Sequence, residues 1–157
     1  MADQMAVLRD GIVMQQGAPR HIYTRPADGF VANFIGETNL FPGLLAADRS
    51  SVETPHGIFR SDRCAPDGVS GDATCSIRPE TISVAPPDGS PTGGSLEGVV
   101  ESVVYLGDTE QYLVSLNDGS TVRCVEWNPS EPRAHTGERV TLSFRAEDVV
   151  ILPADRA

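Results

Sequence analysis

Short runs of β-forming residues, each ended by Gly, Pro, Asp or Asn, are the feature of this sequence that most limits its fold. They begin near residue 40 and include LFPGLLAA, SVETPHGIFRS, DATCSIRPETISVAP, LEGVVESVVYLG, EQYLVSLNDGSTVRCVEW, RVTLSFR and EDVVIL. Many short strands separated by turn signals are typical of a small sandwich or barrel. The number of runs and the glycine-marked bends favour a mainly β fold with an OB-like five-stranded barrel.

Two patterns indicate how these strands face their surroundings. RVTLSFR alternates, as expected for a strand with one buried face, and its apolar side is Val140, Leu142 and Phe144. Val99-Val100 and Val103-Val104 place apolar groups on both faces, which suits strands covered by the barrel core on one side and by a partner or a helix on the other. Asn117-Asp118-Gly119 predicts a hairpin turn.

The first part of the chain predicts a β-hairpin followed by two short helices. Asp10-Gly11 between two apolar runs is typical of a type I′ turn, since both residues tolerate positive φ. Ala18-Pro19 opens a helix, because proline is tolerated in the first turn. Phe30, Val31, Phe34 and Ile35 form an apolar stripe at helical spacing. Gly36 is then predicted to end this helix as a left-handed C-cap.

Charge and composition exclude several classes of function. The 157 residues carry a formal net charge of −10, which argues against nucleic acid as a partner and against a basic membrane-binding face. No run of apolar residues is long enough for direct membrane insertion, and no signal-peptide pattern opens the chain, so a cytoplasmic location is expected. The basic residues are all arginine, which excludes a phosphate-binding loop of the G-x-x-x-x-G-K-[ST] type, because that loop needs a lysine.

No catalytic or metal site is predicted. His21, His56 and His135 lie far apart without a second ligand at helical spacing, so we expect no metal ion. The sequence contains no G-x-S-x-G nucleophile motif. The odd number and scattered spacing of the cysteines favour three reduced thiols, at Cys64, Cys75 and Cys124. The alternative is a disulfide between Cys64 and Cys75. A binding or assembly module is therefore favoured over an enzyme.

Two short motifs remain as candidate sites. Arg78 and Glu80 flank a proline and form the most distinctive charged group of the sequence. The alternative to a functional site is a surface ion pair between them, which contributes little to stability. Tyr105, Gly107 and Asp108 belong to the sequence YLGD, which predicts a strand-to-turn corner with Gly107 at positive φ. Both motifs are candidates for an interface or a ligand pocket.

The ordered motifs of the whole chain resemble the ATP-binding subunits of bacterial ABC importers. The string AVLRDGIVMQQGAPRHIYTRPADGFVANFIGETNLF is similar to the end of their nucleotide-binding domain. SIRPETISV, GVVESVVYLGDTEQYLVSLNDGSTVRC and GERVTLSFRAEDVVIL resemble their C-terminal TOBE domain. FIGETNLF is most similar to polyamine importers and to related iron or phosphonate importers.

This resemblance implies a domain division and a role. Residues 1–39 would end the nucleotide-binding domain, and residues 40–157 would form the OB-like TOBE domain from two stretches, 40–86 and 96–153, with 86–95 as a flexible connection. The chain would be part of a longer subunit whose ATP and Mg²⁺ sites precede it, so it needs no cofactor of its own. Expected partners are a second copy of the chain and, through the full-length subunit, the permease at the inner face of the membrane.

Three functions stay open from the sequence. The first is a non-catalytic regulatory and dimerisation domain of such a subunit. The second is a free-standing TOBE domain that binds an oxyanion, with Arg78 and backbone N–H groups near Gly107 as donors. The third is an oligonucleotide or sugar binder of the OB type, against which the negative charge and the few aromatic residues both argue.

Overall fold

A computed structural model describes residues 3–84 and 91–155. In these residues two α-helices follow a first hairpin, and all later elements are strands or single 3-10 turns. The elements are β1 (Met5–Arg9), β2 (Ile12–Gly17), α1 (Pro19–Thr24), α2 (Gly29–Ile35), β3 (Asn39–Leu45), β4 (Ser51–Thr54), β5 (Gly57–Arg60), β6 (Asp72–Ile77), β7 (Ser83–Val84), β8 (Gly94–Tyr105), β9 (Thr109–Ser115), β10 (Thr121–Trp127), β11 (Arg139–Phe144) and β12 (Val149–Pro153).

Ten of these strands form two five-stranded antiparallel sheets within the described residues. Sheet I has the order β12-β6-β3-β4-β5, and sheet II has the order β10-β9-β8-β11-β7. Strand β8 is long and carries an irregularity in its pairing with β9 between Val100 and Ser102. Such a bulge increases the local twist and lets one strand curl between neighbours. The mainly β, OB-like fold class expected from the sequence is confirmed.

The main hydrophobic core lies between the two sheets, and a row of three phenylalanines crosses it. The ring of Phe59 in β5 packs edge-on against Phe41 in β3, with ring centroids 5.1 Å apart. It packs in the same way against Phe144 in β11 of sheet II, at 5.0 Å. Edge-to-face pairs of this kind add to the stabilisation that burial itself provides. The row therefore ties sheet I to sheet II.

Polar contacts join the two sheets at their rims. The Asn39 side chain at the start of β3 donates to the backbone carbonyl of Arg123 in β10, and its oxygen accepts from the Arg123 N–H, each at 2.9 Å. At another rim, His56 Nε2 lies 3.2 Å from an Asp118 carboxylate oxygen. These contacts join the start of β3 to β10 and the β4–β5 turn to the β9–β10 turn.

The N-terminal segment, residues 3–36, forms its own small cluster beside sheets I and II, which together are called the barrel below. Val7 of β1, Ile22 of α1 and Val31 of α2 are fully buried against one another. Asp28 is the N-cap of helix α2, and its side chain accepts a hydrogen bond from the Val31 N–H at 2.9 Å. An aspartate at this position satisfies an otherwise unpaired N–H of the first turn. The predicted hairpin and both helices are confirmed.

Local expectations had mixed outcomes. Asp10 and Gly11 have φ of 51° and 78°, as the type I′ turn requires, and the loop after β9 turns at Gly119 with positive φ. The left-handed C-cap at Gly36 is wrong, because its φ is 178°. The chain leaves α2 in an extended conformation, since the Gly36 carbonyl is held by Arg78.

The expected connection 86–95 lies partly outside the described residues. Its last two residues, Gly94 and Ser95, already belong to β8 and pair with Phe144 and Ser143 of β11, so the connection ends earlier than expected. The three cysteines are free, which favours the reduced thiols over the Cys64–Cys75 disulfide. In the described part of the chain, no helix has the length and apolar character needed to cross a membrane.

Candidate functional site

Arg78 joins the N-terminal segment to the barrel. It directly follows β6, and its guanidinium points at the end of α2. Nη1 donates hydrogen bonds to the carbonyls of Ala32 at 2.9 Å, Gly36 at 2.7 Å and Glu37 at 3.1 Å. Nη2 donates to the carbonyl of Tyr23 at 3.4 Å. The last carbonyls of a helix lack partners within the helix, so one arginine of the barrel satisfies the ends of both helices.

Tyr23 and Glu80 complete this joint. The Arg78 guanidinium lies over the Tyr23 ring, 4.4 Å from its centroid, in the geometry of a cation–π contact. The Tyr23 hydroxyl donates to a Glu80 carboxylate oxygen at 2.6 Å. Burial raises the pKa of the Tyr23 hydroxyl, and the bond to Glu80 and its negative charge raise it further, while Arg78 lowers it. Tyr23 of α1 therefore contacts both charged residues of the motif, Arg78 and Glu80, and these contacts hold the helix to the barrel.

The contacts of Arg78 and Glu80 with the N-terminal segment explain why the motif contains an arginine and a glutamate. The described residues contain no ion pair between Arg78 and Glu80, so the alternative of a surface ion pair does not hold. Pro79 instead starts a 3-10 turn, Pro79–Thr81, and the two charged side chains reach the N-terminal segment from either side of it. We call Arg78, Tyr23 and Glu80 the helix joint.

The predicted corner at Tyr105–Asp108 exists but does not meet the helix joint. Gly107 has φ of 92°, which confirms the positive φ. The Leu106 N–H donates to Thr109 across the turn at 2.8 Å, and Asp108 accepts from the Asn128 N–H at 2.8 Å. Among the described residues, no hydrogen bond or ion pair connects this corner with the helix joint. The candidate residues therefore fall into two separate places.

An exposed apolar surface surrounds the corner. Strand register places Val104 and Trp127 on the outer face of sheet II, because Val104 pairs with Gln111 and Trp127 pairs with Thr109. Leu106 directly follows β8 at the same end of the sheet. Their exposed fractions are 47%, 55% and 62%. Tyr105 emerges at the same end of the sheet and is 66% exposed. We call Val104, Leu106 and Trp127 the outer apolar surface.

Sequence reasoning missed two residues of these places, for different reasons. Trp127 lies near the corner because β10 pairs with β9, which places Trp127 opposite Thr109. The predicted hairpin turn at Asn117-Asp118-Gly119 could have indicated this position, if the strand pairing had been counted outward from the turn. Tyr23 meets Glu80 across 57 positions of sequence, and no local pattern marks that contact.

A buried tyrosine orders the loop that precedes β11. The Tyr112 hydroxyl donates to Glu110 at 2.7 Å and accepts from the Arg133 N–H at 2.8 Å. Burial, together with the hydrogen bond to Glu110, raises the pKa of Tyr112 to about 12. Both Tyr112 and Glu110 are nearly inaccessible to solvent. This pair therefore positions the loop and is closed to a substrate.

No metal centre is formed by the described residues, since they contain no group of three or more His, Cys, Asp or Glu able to hold an ion. Cys75 and Cys124 are buried, and burial raises the pKa of each thiol to about 12. Thiols of this kind are poor nucleophiles, because the thiolate is the reactive form.

Comparison with known proteins identifies the family. A family described as TOBE domain matches residues 75–152. The spermidine/putrescine import ATP-binding protein PotA 1 of Pseudomonas aeruginosa is 38% identical over 97% of this chain and 41% of its own length. PotA of Rubrobacter xylanophilus is 34% identical over 99% of this chain and 42% of its own length. The Fe(3+) ions import ATP-binding protein FbpC of Fusobacterium nucleatum is 28% identical over 99% of this chain and 41% of its own length.

The chain spans about two fifths of the length of these curated relatives. Among solved structures, the cytoplasmic molybdate-binding protein ModG is similar with a TM-score of 0.59, over 74% of this chain and 96% of that chain. The two are 10% identical, so this similarity concerns the fold. Together these matches show that the chain carries a TOBE domain and belongs with the C-terminal regions of the ATP-binding subunits of ABC importers.

Proposed function

We propose that this chain is the non-catalytic regulatory and dimerisation region of the ATP-binding subunit of an ABC importer of the polyamine type. The observation that carries the proposal is the match of nearly the whole chain, 97% of it, to an import ATP-binding protein, with the barrel joined to the preceding helices by Arg78. The intact subunit would act in the cytoplasm, at the inner face of the membrane beside its permease.

The helix joint supports a regulatory role. It connects a small N-terminal cluster to a large barrel through backbone carbonyls at the ends of both helices. Hydrogen bonds from a charged donor contribute about 1.5–3 kcal/mol each, so the joint resists separation of the two parts. A movement of the helices in the intact subunit would therefore carry the barrel with it.

The outer apolar surface supports a contact with a second copy of the chain. Contiguous exposed apolar groups on a soluble protein mark interaction sites more often than single exposed residues do. A two-fold interface uses the same patch on both copies, and an exposed tryptophan is the residue type most enriched at the centres of such interfaces. The proposed dimer contact is centred on Leu106 and Trp127, with Tyr105 at its border.

Sedimentation equilibrium of the purified chain tests this contact. We expect a reversible dimer that Trp127→Ser shifts toward monomer. Ile58→Ser is the matched control, since Ile58 is also about half exposed but lies in β5 of the other sheet. A wild-type chain that stays monomeric at high concentration, or equal loss of dimer in both variants, would contradict the proposed interface.

A second measurement tests the non-catalytic role. The purified chain is expected to hydrolyse MgATP no faster than buffer, since it has no lysine for a phosphate-binding loop. The control is the same preparation with a known ATPase added, which excludes an inhibitor in the sample. Turnover that follows the chain through purification would refute the assignment.

The alternative function is a free-standing TOBE domain that binds an oxyanion, by analogy with the structurally similar ModG, which is a cytoplasmic molybdate-binding protein. Here the guanidinium of Arg78 is occupied by backbone carbonyls, which leaves it poorly placed as an oxyanion donor. A thermal-shift series with molybdate, sulfate, phosphate and spermidine separates the two functions. A raised melting temperature with molybdate alone would favour the alternative.

A further inference from the structure

A groove with basic walls lies between the N-terminal segment and the barrel, and it shares no lining residue with the helix joint or the outer apolar surface. Its volume is about 590 Å³. The walls include His21 and Arg25 from the end of α1, and Arg63 with Cys64 from the loop after β5. Residues Val149–Leu152 of β12 form its floor. We call this the basic groove.

The charge of the basic groove is opposite to that of the chain. The protein has 22 Asp and Glu residues against 12 Arg, yet no carboxylate lines the groove in the described residues. A second cavity, of about 810 Å³, is lined by the carboxylates of Glu53, Asp72 and Asp155 and by no basic residue. The groove therefore carries two arginines and a histidine on a chain of net negative charge, and a cavity of one sign attracts ligands of the other.

The cations of the groove keep hydrogen-bonding capacity for a ligand. Arg25 takes part in no ion pair among the described residues, and Arg63 has one, a 3.6 Å contact from Nε to Asp62. Arginine presents several N–H donors in a plane that matches carboxylate and phosphate oxygens. This contrasts with Arg78, whose donors are already used.

The floor adds a free strand edge and, at Val150, a partly exposed apolar side chain. Strand β12 is at the end of sheet I and pairs only with β6 in the described residues. The Val149 carbonyl accepts from the Ser61 hydroxyl at 2.7 Å, which closes one end of the groove. Ile151 and Leu152 are buried beneath it. Small-molecule sites are typically apolar clefts of about 300–1,000 Å³ with a few polar groups, often between two structural units.

We propose that the basic groove binds a small organic anion, with a carboxylate or phosphate head on Arg25 and Arg63 and an apolar body against β12. The site is independent of the proposed dimer contact and of the importer assignment. Because its walls come from both parts of the molecule, an occupant ties the N-terminal segment to the barrel at a second place.

Cys64 provides a direct readout of occupancy. It lines the groove and is exposed, whereas Cys75 and Cys124 are buried with pKa values raised to about 12. Iodoacetamide, which is uncharged, therefore labels Cys64 selectively, and mass spectrometry of the peptide gives the rate. We expect phenyl phosphate and benzoate to slow this reaction severalfold at matched ionic strength, and inorganic phosphate or phenol to slow it far less.

Variants separate specific binding from general effects. Arg25→Gln and Arg63→Gln should each abolish the protection by phenyl phosphate, while Arg25→Lys, which keeps the charge, should retain part of it. Arg139→Gln removes an exposed arginine of β11 outside the groove and should keep full protection. Equal protection by phenol would reduce the site to an apolar surface. An unchanged Cys64 rate with every probe, or loss of protection in Arg139→Gln as well, would overturn the proposal.

Discussion

The N-terminal segment and the barrel both consist of regular secondary structure, but their hydrophobic cores differ greatly in size. In the described residues the segment completely buries four apolar side chains, Val7, Ile22, Val31 and Ala32, and its hairpin leaves Leu8, Ile12 and Val13 more than half exposed. The barrel buries a continuous core between two sheets, including the row Phe41, Phe59 and Phe144. Hydrophobic burial scales with the apolar area removed from water, so most of the stability lies in the barrel.

This difference assigns separate roles to the two parts. The barrel has an extensive core of its own, whereas the segment has a small cluster and is connected to the barrel through the helix joint. Elements with few buried contacts open at lower free energy than the core. We therefore expect the segment to open at lower free energy than the barrel.

The largest expected effect is at the centre of the barrel. Phe59→Ala should lower the free energy of unfolding by about 3–5 kcal/mol, because Phe59 is fully buried and contacts a phenylalanine of each sheet. Urea denaturation followed by circular dichroism measures it. Ile58→Ala, one residue away and half exposed, should cost much less. Similar losses in the two variants would show that the phenylalanine row is not the centre of stability.

The next effect distinguishes the segment from the barrel. Ile22→Ala removes the centre of the small cluster, and a buried isoleucine truncated to alanine costs about 2–5 kcal/mol. Because the segment opens separately, this loss should appear as faster hydrogen exchange in residues 3–36, with the barrel amides unchanged. Arg20→Ala, on the exposed side of α1, is the control. If barrel amides lost protection to the same extent, the two parts would form one cooperative unit.

A smaller effect concerns the connection itself. Arg78→Lys keeps the charge but loses the planar fork, so it cannot reach the carbonyls of Ala32, Gly36 and Tyr23 together. We expect the protection of α1 and α2 to fall by about 1.5–3 kcal/mol, measured by hydrogen exchange. Arg123→Lys, in an exposed 4.0 Å pair with Glu37, should change it by less than about 1 kcal/mol. Equally small losses of protection in the two variants would mean that the positive charge at residue 78, and not the planar guanidinium, holds the helices to the barrel.

The same contrast shows what the sequence could predict. Elements with local signals were predicted correctly, since Asp10-Gly11, Pro19 and the alternation of Val140, Leu142 and Phe144 each act within a few residues. The end of α2 at Gly36 was also predicted correctly, but the left-handed conformation of Gly36 was not, because this residue is extended and its carbonyl accepts a hydrogen bond from Arg78, 42 residues away. Local propensity for a left-handed cap gave way to a long-range contact.

The candidate site was predicted in part for a related reason. Arg78 and Glu80 were recognised from their charge and from the family motif, but their partner Tyr23 has no local signal. The division of the strands into two sheets also depends on distant pairs, such as Asn39 with Arg123. The basic groove has walls from α1, from the loop after β5 and from β12. No single stretch of the sequence contains enough of it to be seen.

The smallest expected effect concerns the hydrogen bond between Tyr23 and Glu80 in the helix joint, whose contribution to stability depends on pH. Tyr23→Phe removes the hydrogen bond to Glu80, which should cost the segment about 0.5–1.5 kcal/mol near neutral pH. In the folded protein the pKa of Tyr23 is raised, by burial first and then by Glu80. The contribution of this hydroxyl is therefore complete below the pKa of an unfolded tyrosine, near 10, and is lost as the pH rises through the folded value.

Hydrogen exchange of α1 at increasing alkaline pH, corrected for the intrinsic exchange rate, measures this loss. The wild-type segment should lose protection above about pH 10, and Tyr23→Phe should start lower and change less, because it has no proton to release there. Tyr105→Phe is the control, since Tyr105 is exposed at the far corner and should leave α1 unaffected. If wild type and Tyr23→Phe fell in parallel, the alkaline opening would start elsewhere. The joint would then depend on Arg78 alone.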